Sequence, residues 1–266
     1  MGRLAILGGA GQLPVMLQQR YPDAVAVGFQ GMQTEMSDPR IVAFEKLGGL
    51  FEMLASEGVD HVCMVGGLSR PNLNPSDFDA GMREIAPRLM GAMAGGDDGL
   101  LREIIAIFEE RGFETRGIHV LLPELIADEG VLTSCAPSDQ DISDIDRADM
   151  ILDALAPVDV GQAAVVAGGL CLGIETIQGT DALLYLVKAT PDKLRRAPGV
   201  LVKRPKKGQD LRVDMPTIGP ATVQNAADAG VSGLAISPGQ VLLIEKPKMI
   251  ELANNLGLFI VAREPA

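Results

Sequence analysis

The sequence predicts an α/β protein of two domains: a Rossmann-like N-terminal domain on a parallel sheet, and a distinct α/β C-terminal domain. Three observations predict it. Short apolar runs alternate with amphipathic helical patterns through the first half, as strand–helix–strand crossovers require. An acidic stretch poor in apolar residues, PSDQDISDIDRAD over residues 137–149, interrupts that alternation. A second series of apolar runs follows it. The boundaries read as 1–133 for the first domain, 134–160 for an acidic linker or helix, and 161–266 for the second domain.

Residues 4–7 form a first buried strand. The glycines that follow cut this apolar run too short for the core of a signal peptide. Residues 24–29 and 59–65 read as further strands. Phe44, Leu47, Phe51 and Leu54 recur at helical spacing before Gly58, and Leu100, Leu101, Ile104, Ile105 and Phe108 mark another helix closed by Gly112. Asp139, Asp141, Asp144, Asp146 and Asp149 suggest calcium at first sight. A calcium loop starting at Asp139 needs Gly at its sixth position and Glu at its twelfth, and those positions hold Asp144 and Met150. A solvated linker helix is the expected reading. Beyond it, residues 162–175 suggest a strand pair around Gly168-Gly169, and residues 183–187 a helical run. Residues 200–203, 234–236, 241–244 and 259–261 read as strands, and 221–229 and 248–256 as helices.

Composition narrows the function classes. The chain has 266 residues, 47% hydrophobic and 22% charged, which suits a folded globular protein. No apolar run approaches the roughly 18 residues of a membrane-spanning helix. The net charge of −12 and the absence of Trp argue against nucleic acid as a partner. Cys63, Cys135 and Cys171 are scattered and odd in number, which points to a reducing, cytoplasmic compartment rather than a disulfide framework. His61 and His119 stand alone and read as packed or surface residues.

Several segments carry groups suited to phosphate. Gly8-Gly9-Ala10-Gly11-Gln12-Leu13-Pro14 follows the first strand and opens a helix, where backbone N–H groups can cradle an anion. The segment departs from the dinucleotide fingerprint. Pro14 stands at the third glycine position, and the second strand ends at Gly28-Phe29-Gln30 without a ribose-binding acid. A tight structural turn is the plain alternative. Gly66-Gly67-Leu68-Ser69-Arg70-Pro71 lies at the carboxyl end of the third strand, where open sheets bind ligands. Asp97 and Asp98 lie in a glycine loop, where they can cap a helix or contact a ligand. Gly179-Thr180-Asp181 begins a helix. Lys203-Arg204-Pro205-Lys206-Lys207 is a basic knot in an acidic chain, as a diphosphate site requires. Arg212 and Asp214, two apart, would share one face of an extended segment. Asp214 is a hard oxygen ligand for Mg²⁺ or Mn²⁺, and Arg212 suits bidentate phosphate recognition. The residues Thr217, Ile218 and Gly219 then start a helix whose N–H groups can hold phosphate. A surface ion pair before a capped helix is the alternative.

Together the blocks GGAGQLP, GGLSRP, GGDDGLL, VDVGQAAVVAGGLCLGIETIQGTDALL, VLVKRPKK, RVDMPTIGPATV and LGLFIVA resemble the UDP-2,3-diacylglucosamine pyrophosphatase of lipid A biosynthesis. This is the two-domain family unrelated to the calcineurin-like enzymes. Leu68 stands where the family often has Asn. The resemblance implies a C-terminal catalytic domain, substrate held between the domains, and metal-dependent hydrolysis of UDP-2,3-diacylglucosamine to UMP and 2,3-diacylglucosamine 1-phosphate. Attack is implied at the phosphorus nearer the sugar. Asp214 becomes the metal ligand and a catalytic residue, with Arg212 beside it. Gly9, Ala10, Gly11, Leu13, Pro14, Gly67, Ser69, Arg70, Asp97, Asp98, Gly179, Thr180, Asp181, Lys203, Thr217, Ile218 and Gly219 become substrate or phosphate contacts. The expected partners are the lipid substrate, a membrane surface touched transiently and a second copy of the chain, with the protein cytoplasmic or peripheral at the inner membrane. Two rival classes remain: a nicotinamide-dependent oxidoreductase, and a nucleotide- or lipid-binding module without catalysis.

Overall fold

The computed structural model describes residues 2–69, 71–93 and 97–265, with the side chain of Asp97 outside the description. The chain divides into two compact units: Met1–Pro123 with Arg212–Asp214, and Glu124–Leu211 with Met215–Ala266.

The first unit runs β1 (Arg3–Gly8), α1 (Gln12–Arg20), β2 (Val25–Phe29), β3 (Arg40–Val42), α2 (Leu47–Ser56), β4 (Val59–Val65), α3 (Ala80–Met93), α4 (Asp97–Glu110), β5 (Glu114–Thr115) and α5 (Ile118–Leu121). Its sheet has the order β3-β2-β1-β4-β5, and every pairing is parallel. The Rossmann-like expectation is met. Parallel sheets bury both faces, so the strands read as continuous apolar runs instead of alternating ones. Strand β1 is buried from Leu4 to Gly8, and β2 throughout. Phe51, Phe108 and Phe113 cluster on one face, with Phe51 and Phe108 ring centroids 5.0 Å apart. Since all strands run one way, their carboxyl ends share one edge, and the glycine turn after β1 lies there.

The second unit contains β6 (Gly130–Val131), α6 (Asp139–Leu155), β7 (Ala163–Ala167), β8 (Leu170–Ile174), α7 (Gly179–Lys188), β9 (Val200–Lys203), β10 (Thr217–Ile218), α8 (Pro220–Asp228), β11 (Gly233–Ile236), β12 (Leu242–Leu243), α9 (Lys246–Leu256) and β13 (Phe259–Ala262). Six strands form a mixed sheet of order β6-β13-β11-β9-β7-β8. Strands β9, β11 and β13 are mutually parallel, while β7 runs antiparallel to both β9 and β8. Strand β8 therefore points the same way as β9. Helices cover both faces. Leu184, Val187, Val223, Ala226, Met249 and Ala253 from α7, α8 and α9 fill one side. Ile145, Ala148 and Leu152 of α6 close the other, against Val166, Val202 and Val261.

Two local expectations differ from the structure. Residues 134–160 do not act as a linker, because α6 is part of the second unit. Its apolar residues recur at helical spacing and bury on the sheet, and its acids tie it down. Ser138 and Asp141 form a reciprocal N-terminal cap, Asp144 accepts from the N–H groups of Gly168 and Gly169, and Asp146 pairs with Arg263. Residues 217–219 do not begin a helix. Thr217 and Ile218 pair with Leu242 and Leu243 as β10 and β12, and α8 starts at Pro220 with Gly219 as its cap. The threonine and isoleucine there are β-branched and favour the extended state, and Pro is suited to the first helical position.

Candidate functional site

In the first unit, the glycine turn and the β4 exit loop are stitched together. Ala10 and Gly67 exchange two backbone hydrogen bonds of 2.9 Å, and Gly9 N–H donates to Val65 O at 2.9 Å. The approach requires glycine. A Cβ on Gly9 would lie 2.3 Å from the Gly67 carbonyl oxygen, and one on Gly66, at φ +89°, would lie 2.7 Å from the Ala10 oxygen. Pro14 is buried beneath this pair of turns, which explains why a proline replaces the fingerprint's third glycine. Leu13 lies in the first turn of α1. The N–H of Gly11 meets the Glu35 carboxylate at 2.9 Å, so the turn already receives an anionic oxygen. Ser69 is exposed and donates to the Met32 sulfur. Arg70 lies outside the described residues. Asp97 is the first residue of α4, and Asp98 pairs with Arg102 one turn on at 2.6 Å.

Arg212, Val213 and Asp214 group with this first unit. Residues 211–213 form a turn rather than a continuous extended run, so the two-residue spacing does not act as it would in a strand. Arg212 pairs with Glu109 at 2.6 Å and lies close to Gly117. Asp214 is half-buried in open backbone.

In the second unit, the carboxyl ends of β8 and β9 and the start of α7 meet in a buried polar cluster. Lys203 is the last residue of β9 and is 6% exposed; Glu175 follows β8 and is 8% exposed. The Lys203 ammonium donates to Thr180 Oγ1 and to Glu175 Oε1, the latter at 3.4 Å. The Thr180 hydroxyl completes the triangle with a 3.0 Å bond to the same Glu175 oxygen. Gly179, at φ +85°, begins α7, and Asp181 accepts from Asn225 of α8 at 2.8 Å. Thr180 and Asp181 therefore face partners rather than capping the helix. Ile218 is 1% exposed and belongs to the core, and the Gly219 N–H donates to Thr222 Oγ1.

Past the ends of β9, β11 and β13 lies a cavity of about 370 Å³ lined by the bases Arg204, Lys206 and Lys207, the acids Asp153 and Glu264, and Ser237, among others. The basic knot of the sequence thus splits. Arg204 turns inward to Asp149 and Asp153, at 3.1 and 2.8 Å. Burial holds the Asp149 carboxyl above its usual range, although Arg204 opposes the shift. Lys206, tied to Asp159, and the exposed Lys207 line the cavity. Sequence reasoning missed Glu175 and Ser237. Neither stands in a recognisable motif; only the sheet order brings them to this edge.

Fold and geometry together define a two-domain α/β protein, with a glycine turn at the carboxyl edge of one sheet and a polar, charged hollow at the carboxyl edge of the other. Comparison gives the particular family. The family model of the LpxI N-terminal domain matches residues 3–125, and that of the LpxI C-terminal domain matches residues 128–261. The UDP-2,3-diacylglucosamine pyrophosphatase LpxI of Caulobacter vibrioides is 36% identical over 277 residues, covering 100% of this chain and 99% of that protein. The chain belongs to the LpxI family.

Proposed function

We propose that this protein hydrolyses the diphosphate of UDP-2,3-diacylglucosamine, releasing UMP and 2,3-diacylglucosamine 1-phosphate in lipid A biosynthesis. The full-length relative bearing that activity in its name supports the reading. The structural observation that carries it is the pair Lys206 and Lys207, which line a cavity at the carboxyl edge of the second sheet in a chain of net charge −12. Two neighbouring ammonium groups there suit an anionic diphosphate. Free thiols at Cys63, Cys135 and Cys171 support a reducing, cytoplasmic setting. Among the described residues, no helix is long and apolar enough to cross a membrane. Two acyl chains on the substrate favour transient contact with a bilayer surface.

A divalent cation is part of the proposal. Among the described residues, no three His, Cys, Asp or Glu side chains converge into an all-protein cage. Mg²⁺ does not need one, since one or two carboxylates plus substrate phosphates commonly hold it. Asp214 fits that role as a hard, half-buried oxygen donor outside regular structure. When bound there, Mg²⁺ or Mn²⁺ neutralises phosphate charge and lowers the pKa of water. Lys206 and Lys207 then hold and orient the substrate's anionic groups, and Lys203 supplies further positive charge. Water adds to the phosphorus nearer the sugar and UMP departs.

The test is UMP release by the parent and by Asp214→Ala. Turnover of the variant falls by at least about a thousandfold, the scale of losing a charge-stabilising group. Hydrolysis in ¹⁸O-water places label in the lipid monophosphate. Near-normal turnover of Asp214→Ala overturns its role, and label in UMP overturns the direction of attack. Tight UDP-sugar binding without UMP release would return the binding-module reading.

A further inference from the structure

We infer that Glu175 is a positioning residue for this site: it holds the Lys203 ammonium and the Thr180 hydroxyl in place for the substrate's phosphates. The inference rests on the proposed reaction and adds a residue to it. Glu175 has a rigid base. Its N–H donates to Ala163 O at 2.8 Å, extending the β7–β8 ladder one residue past β8. Its carbonyl is so close to Gly161 that a Cβ there would lie 2.4 Å from the oxygen. Lys203 is equally fixed, since its backbone pairs with Ala163 on one side and Ile236 on the other. Three elements thus deliver one ammonium, one hydroxyl and one carboxylate to a single point.

The hydrogen bonds run in one direction, from the Lys203 ammonium to Thr180 Oγ1, and from the Thr180 hydroxyl to Glu175 Oε1. An ammonium carries three N–H donors. Among the described contacts two serve Glu175 and Thr180, which leaves a third for an anionic oxygen. Stability alone does not explain this arrangement. A buried ion pair gains little over an apolar pair of similar volume. Here the second carboxylate oxygen, Glu175 Oε2, is buried with no hydrogen-bond partner among the described residues, which adds a desolvation cost. Function accounts for keeping it. A buried ammonium needs a partner, and this carboxylate holds it in place without occupying all its donors.

Glu175→Gln keeps the shape and the acceptor but removes the charge. UMP release and inhibition by UDP and by uridine are measured for the parent, Glu175→Gln, Lys203→Met and the double variant. Glu175→Gln lowers kcat/KM about tenfold, the scale of one charge-assisted hydrogen bond. It weakens inhibition by UDP by a similar factor and leaves uridine inhibition within twofold. In the Lys203→Met background it causes no further loss. Equal weakening of UDP and uridine would reveal a merely structural residue and overturn the inference. So would the same factor of loss in both backgrounds, or no loss at all. If Glu175→Gln does not fold, Glu175→Asp serves instead: it keeps the charge but withdraws the carboxylate by one methylene, so UDP inhibition weakens more than uridine inhibition; equal weakening of the two, or no weakening, overturns the inference. Should the parent release no UMP, the proposed reaction fails while the comparison of UDP with uridine still judges Glu175.

Discussion

Replacing Asp144 by Ala tests whether the acidic segment is structural. Asp144 is fully buried in α6, and its carboxylate accepts from Gly168 N at 2.8 Å and Gly169 N at 2.7 Å. Those glycines, at φ +56° and +79°, make the turn between β7 and β8. The variant loses three hydrogen bonds to a charged acceptor: a 3.2 Å bond from the exposed Gln140 side chain, which water replaces, and the two backbone bonds, each worth about 1.5–3 kcal/mol. Both glycines are at least partly open to water, which can replace the lost acceptor, so the lower figure applies to each. The expected loss is about 3 kcal/mol, or a fall in melting temperature of roughly 6–12 °C for a unit of this size. Asp144→Asn keeps one acceptor oxygen and loses about half as much. Scanning calorimetry of the parent and both variants, with calcium and with chelator, measures this. A melting temperature for Asp144→Ala within about 2 °C of the parent refutes the reasoning, and a calcium-dependent shift in the parent shows that the acids bind metal instead.

Two other expectations concern titratable groups. Burial pushes the Cys63 thiol up to about 12, while Cys135 and Cys171 are exposed. At neutral pH a thiol reagent therefore modifies the exposed pair in the native protein and Cys63 only after denaturation, and replacing all three by Ser or Ala leaves most UMP release intact. Burial raises the Asp79 carboxyl, but the N–H groups of Met82, Gly49 and Gly48 outweigh it and hold it below its ordinary 3.8. Its stabilisation is therefore full above that ordinary value and is lost as pH falls through the lower folded one. Asp79→Ala costs about 1–2 kcal/mol at pH 7 as a lost helix cap, and urea midpoints of parent and variant lie closer together well below pH 3.8 than at pH 7. An unchanged gap at both pH values refutes the assignment.

Much of the first unit was legible because parallel strands are short continuous apolar runs and its helices carry one apolar face. Strands β3 and β5 and helix α3 escaped notice. Strand β3 is three residues long and largely exposed, β5 is two residues long, and α3 contains Pro87, which reads as a helix breaker. The candidate site was legible where several suitable residues stand together, as in the glycine turn and the basic knot. It was not legible where one residue acts alone. Glu175 precedes an exposed loop, and nothing local separates it from any surface glutamate.

The sequence by itself determined the fold class, the glycine turn after the first strand, and the charge contrast between the basic knot and the rest of the chain. These follow from side-chain periodicity, backbone sterics and composition, which are local properties. Only the tertiary structure decided that the acids of α6 bind the second sheet, that Arg204 turns inward while Lys206 and Lys207 line a cavity, and that Glu175 meets Lys203 across 28 residues of chain. A charge declares its role through the partner it meets, and sheet order, which brings distant strand ends to one edge, chooses that partner.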